Sequence, residues 1–127
     1  MNTAVVSVGS NINPIDNIET AKKKVSSDFD FIRSSSFRKT KPIGFKDQED
    51  FYNGAFLVQT DKGIDEVNIM LKKIEVEIGR VKTPNKQGPR EIDLDILIWN
   101  NVVVDNDVYE RQFLRNSVLE LLPVFVF

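Results

Sequence analysis

The chain has 127 residues, 41% hydrophobic and 28% charged, with a formal net charge of −2; this is the balance expected of one domain, spanning residues 1–127, that buries its own core. It has no cysteine and no histidine, which excludes disulfides, thiolate and imidazole metal ligands, cysteine nucleophiles and Ser–His–Asp triads, so that any metal must take oxygen ligands, as magnesium and manganese do. The charge gives no general attraction to nucleic acid or an anionic membrane. No stretch approaches the ~18 apolar residues of a membrane span, and the first residues, MNTAVVSVGSN, lack the regions of a signal peptide; a cytoplasmic protein is expected.

In chain order, residues 3–8 form an apolar run closed by Gly9-Ser10-Asn11, a buried strand and turn. Asn13 before Pro14, with Asp16 in the first turn, starts a helix, and Lys22, Lys23 and Lys24 are expected near its C-terminus, where positive charge is favourable. Residues 29–40 read as one second strand, 41–50 as a loop, and 51–60 (FYNGAFLVQT) as a third strand with Gly54 at a bulge or close approach. Between residues 63 and 79, Ile64, Val67, Leu71, Ile74 and Ile78 make an unbroken helical stripe that stops at Gly79. A loop follows over residues 80–90, with the bases Arg80, Lys82, Lys86 and Arg90. Residues 91–99 alternate as a central strand, Asn100-Asn101 is a turn, 102–104 a short hairpin partner, and 110–122 a last helix. The tail PVFVF is expected to add an edge strand or to pack on the core. The order β-α-β-β-α-β predicts an α+β, ferredoxin-like sandwich: an antiparallel sheet with helices on one face plus a C-terminal extension.

Asp93 and Asp95, two apart on a strand, put both carboxylates on one face while Leu94 and Ile96 point into the core. Two adjacent carboxylates repel unless a cation joins them. Alone, such a pair reads as a solvated strand face. The neighbouring bases change that reading, because a metal–polyphosphate needs carboxylates for its metal and bases for its remaining oxygens. Gly9-Ser10-Asn11 is not a Walker A loop and reads as an ordinary turn. Glu75 beside the helical stripe reads as solvated. Phe51 and Asn53 share a strand face and offer a ring and an amide to a flat heterocycle.

Four segments, VSVGSN, SSSFRKTKPIGFKDQEDFYNGA, IEVEIGR and GPREIDLDIL, together resemble the 6-hydroxymethyl-7,8-dihydropterin pyrophosphokinase family in order and spacing over residues 4–99. The resemblance implies a ferredoxin-like fold and transfer of the terminal pyrophosphoryl group of ATP to the hydroxymethyl oxygen of the pterin, releasing AMP, in folate biosynthesis. It implies two magnesium ions on Asp93 and Asp95, with Arg90 and Lys82 stabilising phosphate charge; no other general base is evident, so Asp95 is expected to help take the hydroxyl proton. Glu75 and the Ile96 backbone would lie near the adenosine, and Arg111 would reach the phosphates. Thr40, Ile43, Phe51, Asn53 and Phe113 would form the pterin pocket, and loops 41–50 and 82–88 would close as lids. The chain departs from the family pattern in three ways. Lys82 stands where an arginine is usual and Gln87 where a tryptophan is common. The segment after Val104 is shorter than usual, without its histidine-containing stretch. The C-terminus comes early. These departures motivate a second expectation, a catalytically impaired pterin- or nucleotide-binding relative or one with a different acceptor.

Overall fold

The fold is that of a computed structural model, which describes residues 1–41, 48–79 and 91–127. The expected loops 41–50 and 80–90 lie largely outside the described residues, and with them Ile43, Lys82, Gln87 and Arg90.

Strand β1 (Asn2–Ser10) leads into helix α1 (Pro14–Asp28), then come β2 (Asp30–Ser34), β3 (Arg38–Thr40) and β4 (Phe51–Thr60). Helix α2 (Ile64–Ile78) and β5 (Asp93–Trp99) follow, then β6 (Val102–Val103), α3 (Asp107–Glu110) and α4 (Gln112–Leu121). The sheet runs β2-β4-β1-β5-β6, with β3 also on β4, and every pairing is antiparallel. This is the split β-α-β arrangement the element order predicts.

Alternation along the strands divides the core in two. Ala4, Val6, Val8, Phe56, Val58, Leu94 and Ile96 face α1 and α2, which add Ala21, Val25, Val67, Leu71 and Ile74. Val5, Ala55, Leu57, Leu97 and Ile98 face the other way, under Val108 of α3 and Leu114, Val118 and Leu121 of α4. Two helices thus share one face as expected, and the C-terminal extension covers part of the opposite one. A register shift after Val5 lets both Leu97 and Ile98 turn to the α4 side.

Several local expectations need correction. Asn13 precedes α1 in a left-handed conformation (φ 41°) and its side chain makes no capping bond. Helix α1 continues to Asp28, so Lys22–Lys24 fall short of its last turn, which holds no basic residue. Residues 29–40 are two strands, not one: β2 and β3 pair with different stretches of β4 around the Ser35–Ser36 corner, where Ser35 Oγ accepts from Ala55 N. Gly54 is a close approach without a bulge, since a Cβ there would stand 2.8 Å from the Phe37 ring. The last helix is broken in two at Arg111, whose backbone is extended. The tail forms no strand; Phe125 and Phe127 pack on the second core while Val124 and Val126 stay exposed.

The helix-α2 and hairpin readings hold. Val67, Leu71 and Ile74 are buried, and Gly79 ends α2 at φ 112°, a conformation that favours glycine. Asn100 and Asn101 both have positive φ (49° and 66°), the requirement of a two-residue hairpin turn that asparagine tolerates. Among the described residues no helix is long and apolar enough to cross a membrane.

Candidate active site

The candidate residues gather at one end of the sheet, on the face that α4 only partly covers. In register, Asn53 pairs with Gly9 and Gly9 with Asp93, so the three lie in one row across β4, β1 and β5. Ser7 lies beside Asp95 in the next row of the same face. Phe51 sits two residues from Asn53 and opposite Thr40. Asn53 donates its side-chain N–H to the Thr40 hydroxyl, which leaves its carbonyl oxygen toward Gly9. A Cβ at Gly9 would stand 2.8 Å from that oxygen and 3.9 Å from the Phe51 ring. The glycine is therefore needed for clearance, which a reading of Gly9-Ser10-Asn11 as an ordinary turn misses. Ser10 and Asn11 tie the turn down: the Ser10 hydroxyl donates to Glu91 O at 2.6 Å and Asn11 donates to Gln48 and to Glu49 O.

Among the described residues, strand β5 is central only in its second half: its first half pairs with β1 alone, and β6 begins to pair at Ile98. The open edge at Leu94 is closed by α2. Glu75, only 1% exposed, accepts from Leu94 N at 2.7 Å and from Lys72 Nζ at 3.1 Å. Lys72 in turn donates to Leu94 O at 2.8 Å and to Asp95 Oδ1 at 2.9 Å. Two side chains one turn apart on a helix thus satisfy the donor and the acceptor of one edge residue, which an unpaired strand would otherwise expose. Glu75 is a buried strut and not the solvated residue that its place beside the apolar stripe suggests. Lys72 was not among the sequence candidates. Its signal was its position three residues before Glu75, on the helix flank that meets β5.

Burial pulls the Lys72 ammonium pKa down, but the Asp95 and Glu75 carboxylates outweigh it and hold Lys72 above its ordinary value. It is a fixed positive charge at neutral pH. Ile96 directs its side chain into the first core and places its backbone between the capped Leu94 and the start of β6 pairing.

The second group of candidates stands further off. Arg111, at the start of α4, pairs with Asp107 at 3.5 Å. Burial pushes the Asp105 carboxyl above its ordinary range; the backbone bond from Asp107 and the Arg111 charge oppose this, and the Asp107 and Asp95 charges add to it. Asp95 and Arg111 therefore both act on Asp105 without touching each other. Phe113 packs half-buried against the α4 core. Arg38, directly opposite Asn53 in register, is a further charged side chain on the site's face that sequence reasoning passed over.

The donor set suits a hard divalent cation. Asp93 and Asp95 could offer oxygen ligands on one face, and among the described residues no group of three or more acidic side chains could enclose an ion. A cation there would complete its shell with ligand oxygens and water, the habit of magnesium bound with phosphates. A cavity of about 340 Å³ beside Met1, Asp28, Thr60 and Lys62 lies at the opposite end of β1 and β4 and includes none of these residues.

An antiparallel β2-β4-β1-β5 sheet with a carboxylate pair and an amide at one end defines, first, an α+β ferredoxin-like domain with an oxygen-lined site. Comparison with known proteins makes this particular. The family model for 7,8-dihydro-6-hydroxymethylpterin-pyrophosphokinase matches residues 5–123. The chain is 33% identical over 132 residues to a 2-amino-4-hydroxy-6-hydroxymethyldihydropteridine pyrophosphokinase of Haemophilus influenzae, covering 95% of this chain and 82% of that one. It is 34% identical over 132 residues to the protein of the same name from Aquifex aeolicus, covering 97% and 82%. It is also 37% identical over 126 residues to a folic acid synthesis protein of Pneumocystis carinii, covering 91% of this chain but only 17% of that much longer one. The chain belongs to the 7,8-dihydro-6-hydroxymethylpterin-pyrophosphokinase family. Its activity is ATP-dependent pyrophosphoryl transfer to hydroxymethyldihydropterin in folate biosynthesis.

Proposed function

We propose that the reaction runs across the Asn53–Gly9–Asp93 row, with the pterin over Asn53 and the polyphosphate of ATP over the aspartates. The observation that carries this reading is the register itself: an amide, a bare glycine and a carboxylate lie on three adjacent strands, so acceptor and donor meet over Gly9. Asn53 reads the donor–acceptor edge of the pterin, its orientation set by Thr40, and Phe51 and Phe113 supply aromatic walls. Glu75 and the Ile96 backbone flank the adenosine on the β5 edge. Arg90, Lys82 and Arg111 are assigned to the phosphates and Ile43 to the pterin pocket on the family pattern alone.

Asp93 and Asp95 would hold magnesium, two ions by the family pattern, which when bound supplies charge neutralisation on the phosphate oxygens. In the transfer, the pterin hydroxymethyl oxygen forms a bond to the β-phosphorus and the bond from that phosphorus to the bridging α–β oxygen breaks. AMP leaves with that oxygen, and the hydroxyl proton passes to Asp95 or solvent. No nucleophilic side chain is required, which agrees with a chain lacking cysteine and histidine. ATP and the pterin are then the ligands, and neither nucleic acid nor membrane enters the scheme.

The test is AMP formation by the purified chain from ATP and hydroxymethyldihydropterin. Asp95→Ala is expected to lower the rate by roughly 1,000-fold, the scale of losing a charge-stabilising group in transfer. AMP production unchanged in Asp95→Ala would rule out the assigned mechanism.

A further inference from the structure

Lys72 is a cation that the described structure sets directly on Asp95 of the acidic pair. Its three N–H groups are all engaged, on Asp95 Oδ1 at 2.9 Å, Leu94 O at 2.8 Å and Glu75 Oε2 at 3.1 Å. Two of these acceptors are independent of Asp95: a main-chain carbonyl on the open edge and a carboxylate that is 1% exposed. Lys72 therefore keeps its seat whatever Asp95 binds. The side chain of Asp95 is 44% exposed, so its second oxygen is open to a ligand while the first is held.

We propose that Lys72 is an electrostatic gate on cation loading: it repels a free divalent ion from Asp93–Asp95 and so makes tight cation binding depend on an anionic polyphosphate arriving with it. The inference rests on the reading of Asp93–Asp95 as a cation site. A cation on Asp95 would stand roughly 5 Å from Nζ, given an oxygen–magnesium distance of about 2.1 Å. At that separation a single and a double positive charge repel strongly enough to lower affinity about tenfold or more, even with the screening of a half-exposed site. A triphosphate carries more negative charge than Lys72 carries positive, so it cancels the penalty. Cation and nucleotide then favour each other's binding through Lys72, and by linkage the effect is reciprocal. Glu75 has a part in this: its own bond to the ammonium keeps Lys72 from swinging aside when a cation approaches.

The experiment titrates the full chain with Mn²⁺ alone and then with Mn²⁺ in the presence of a non-hydrolysable ATP analogue, following bound metal by electron paramagnetic resonance. Lys72→Gln keeps a donor and removes the charge; Lys72→Arg keeps the charge; Asp95→Asn removes a ligand. Lys72→Gln should bind Mn²⁺ alone about tenfold tighter than the unaltered chain, and the tightening by nucleotide should shrink by the same factor. Lys72→Arg should stay within about threefold of the unaltered chain. Equal Mn²⁺ affinity in Lys72→Gln and the unaltered chain, with binding abolished in Asp95→Asn, would overturn the gate and leave the cation site standing. Mn²⁺ binding untouched by Asp95→Asn would remove the cation site and the gate together. Should Lys72→Gln fail to fold, the unaltered chain gives the answer. Mn²⁺ with the analogue must broaden the Lys72 ε-methylene resonances, and sharp resonances would refute the placement.

Discussion

The face of the sheet that carries α4 has two halves with opposite uses. In one half, Val5, Ala55, Leu57, Leu97 and Ile98 are sealed beneath Val108, Leu114, Val118 and Leu121. In the other, the same strands carry Ser7, Gly9, Asn53, Asp93 and Asp95, and no apolar layer of the described residues covers them. The switch happens within two residues on each strand: Ala55 to Asn53, Val5 to Ser7, Leu97 to Asp95. The β1–β4 pairing runs unbroken across the boundary, while β1 and β5 shift register there, between Val5 and Val6, so the site inherits its rigidity chiefly through β1 and β4 from the core next to it. What differs is where the free energy goes. Side chains of the covered half stabilise the fold; those of the open half, on the proposed reading, are kept for a ligand.

That contrast can be broken by substitutions in each half. Asp93→Asn should lower the rate of AMP formation by about 100-fold or more, measured on the folded chain. Leu121→Ala should act on the fold instead. Leu121 is 1% exposed, and its truncation should cost about 2–4 kcal/mol in unfolding free energy, measured by urea denaturation, with activity per folded molecule retained. Loss of activity in folded Leu121→Ala would mean that the α4 core does more than support the sheet.

Gly9 sharpens the comparison, because it sits in the open half yet is constrained by packing. In Gly9→Ala the new Cβ would meet Asn53 Oδ1 at 2.8 Å, so Asn53 must turn and give up its bond to Thr40. The expected result is a KM for the pterin raised about tenfold, the scale of one displaced hydrogen-bonding group, with the KM for ATP unchanged. Equal effects on both KM values would place Asn53 elsewhere in the reaction.

Much of the fold was legible in the sequence, and the open half of the α4 face only in part. The α2 stripe from Ile64 to Ile78, the alternation of β5 and the Asn100-Asn101 turn each carry their signal within a few residues. Asp93 and Asp95 were legible for the same reason, since a two-residue spacing on a strand fixes a common face. Glu75 and Lys72 were misread or missed because their roles depend on β5 being open at Leu94, a property of sheet order that no local pattern records. The corner at Ser35 is not legible in residues 29–40, because apolar content does not reveal it. The break at Arg111 is not legible in residues 110–122, because the apolar stripe from Phe113 to Leu122 lies wholly after it.

The smallest expected effect concerns the anchoring of α4, which sets the boundary between the two halves. Glu120 accepts from Ser36 N at 2.8 Å and from Ser36 Oγ at 3.0 Å, tying the helix to the corner between β2 and β3. The backbone N–H of Ser36 holds the Glu120 carboxyl below its ordinary value, slight burial pulls it back up, and the Ser36 hydroxyl and the Arg38 charge lower it further. A carboxyl whose folded pKa is depressed stabilises the fold above its unfolded pKa, near 4.5, and loses that contribution as pH falls through the folded value. The group is almost fully in solvent, so the coupling is screened. Glu120→Gln should therefore lower Tm at pH 7 by roughly one or two degrees, and the gap from the unaltered chain should close as pH falls from 4.5 through the lower folded value and Glu120 protonates in both states. A gap that persists at low pH would assign the stabilisation to a neutral hydrogen-bond geometry that the glutamine amide cannot reproduce, instead of to the charge. The boundary of α4 would then be held by the same neutral bonding that shapes the Ser35–Ser36 corner.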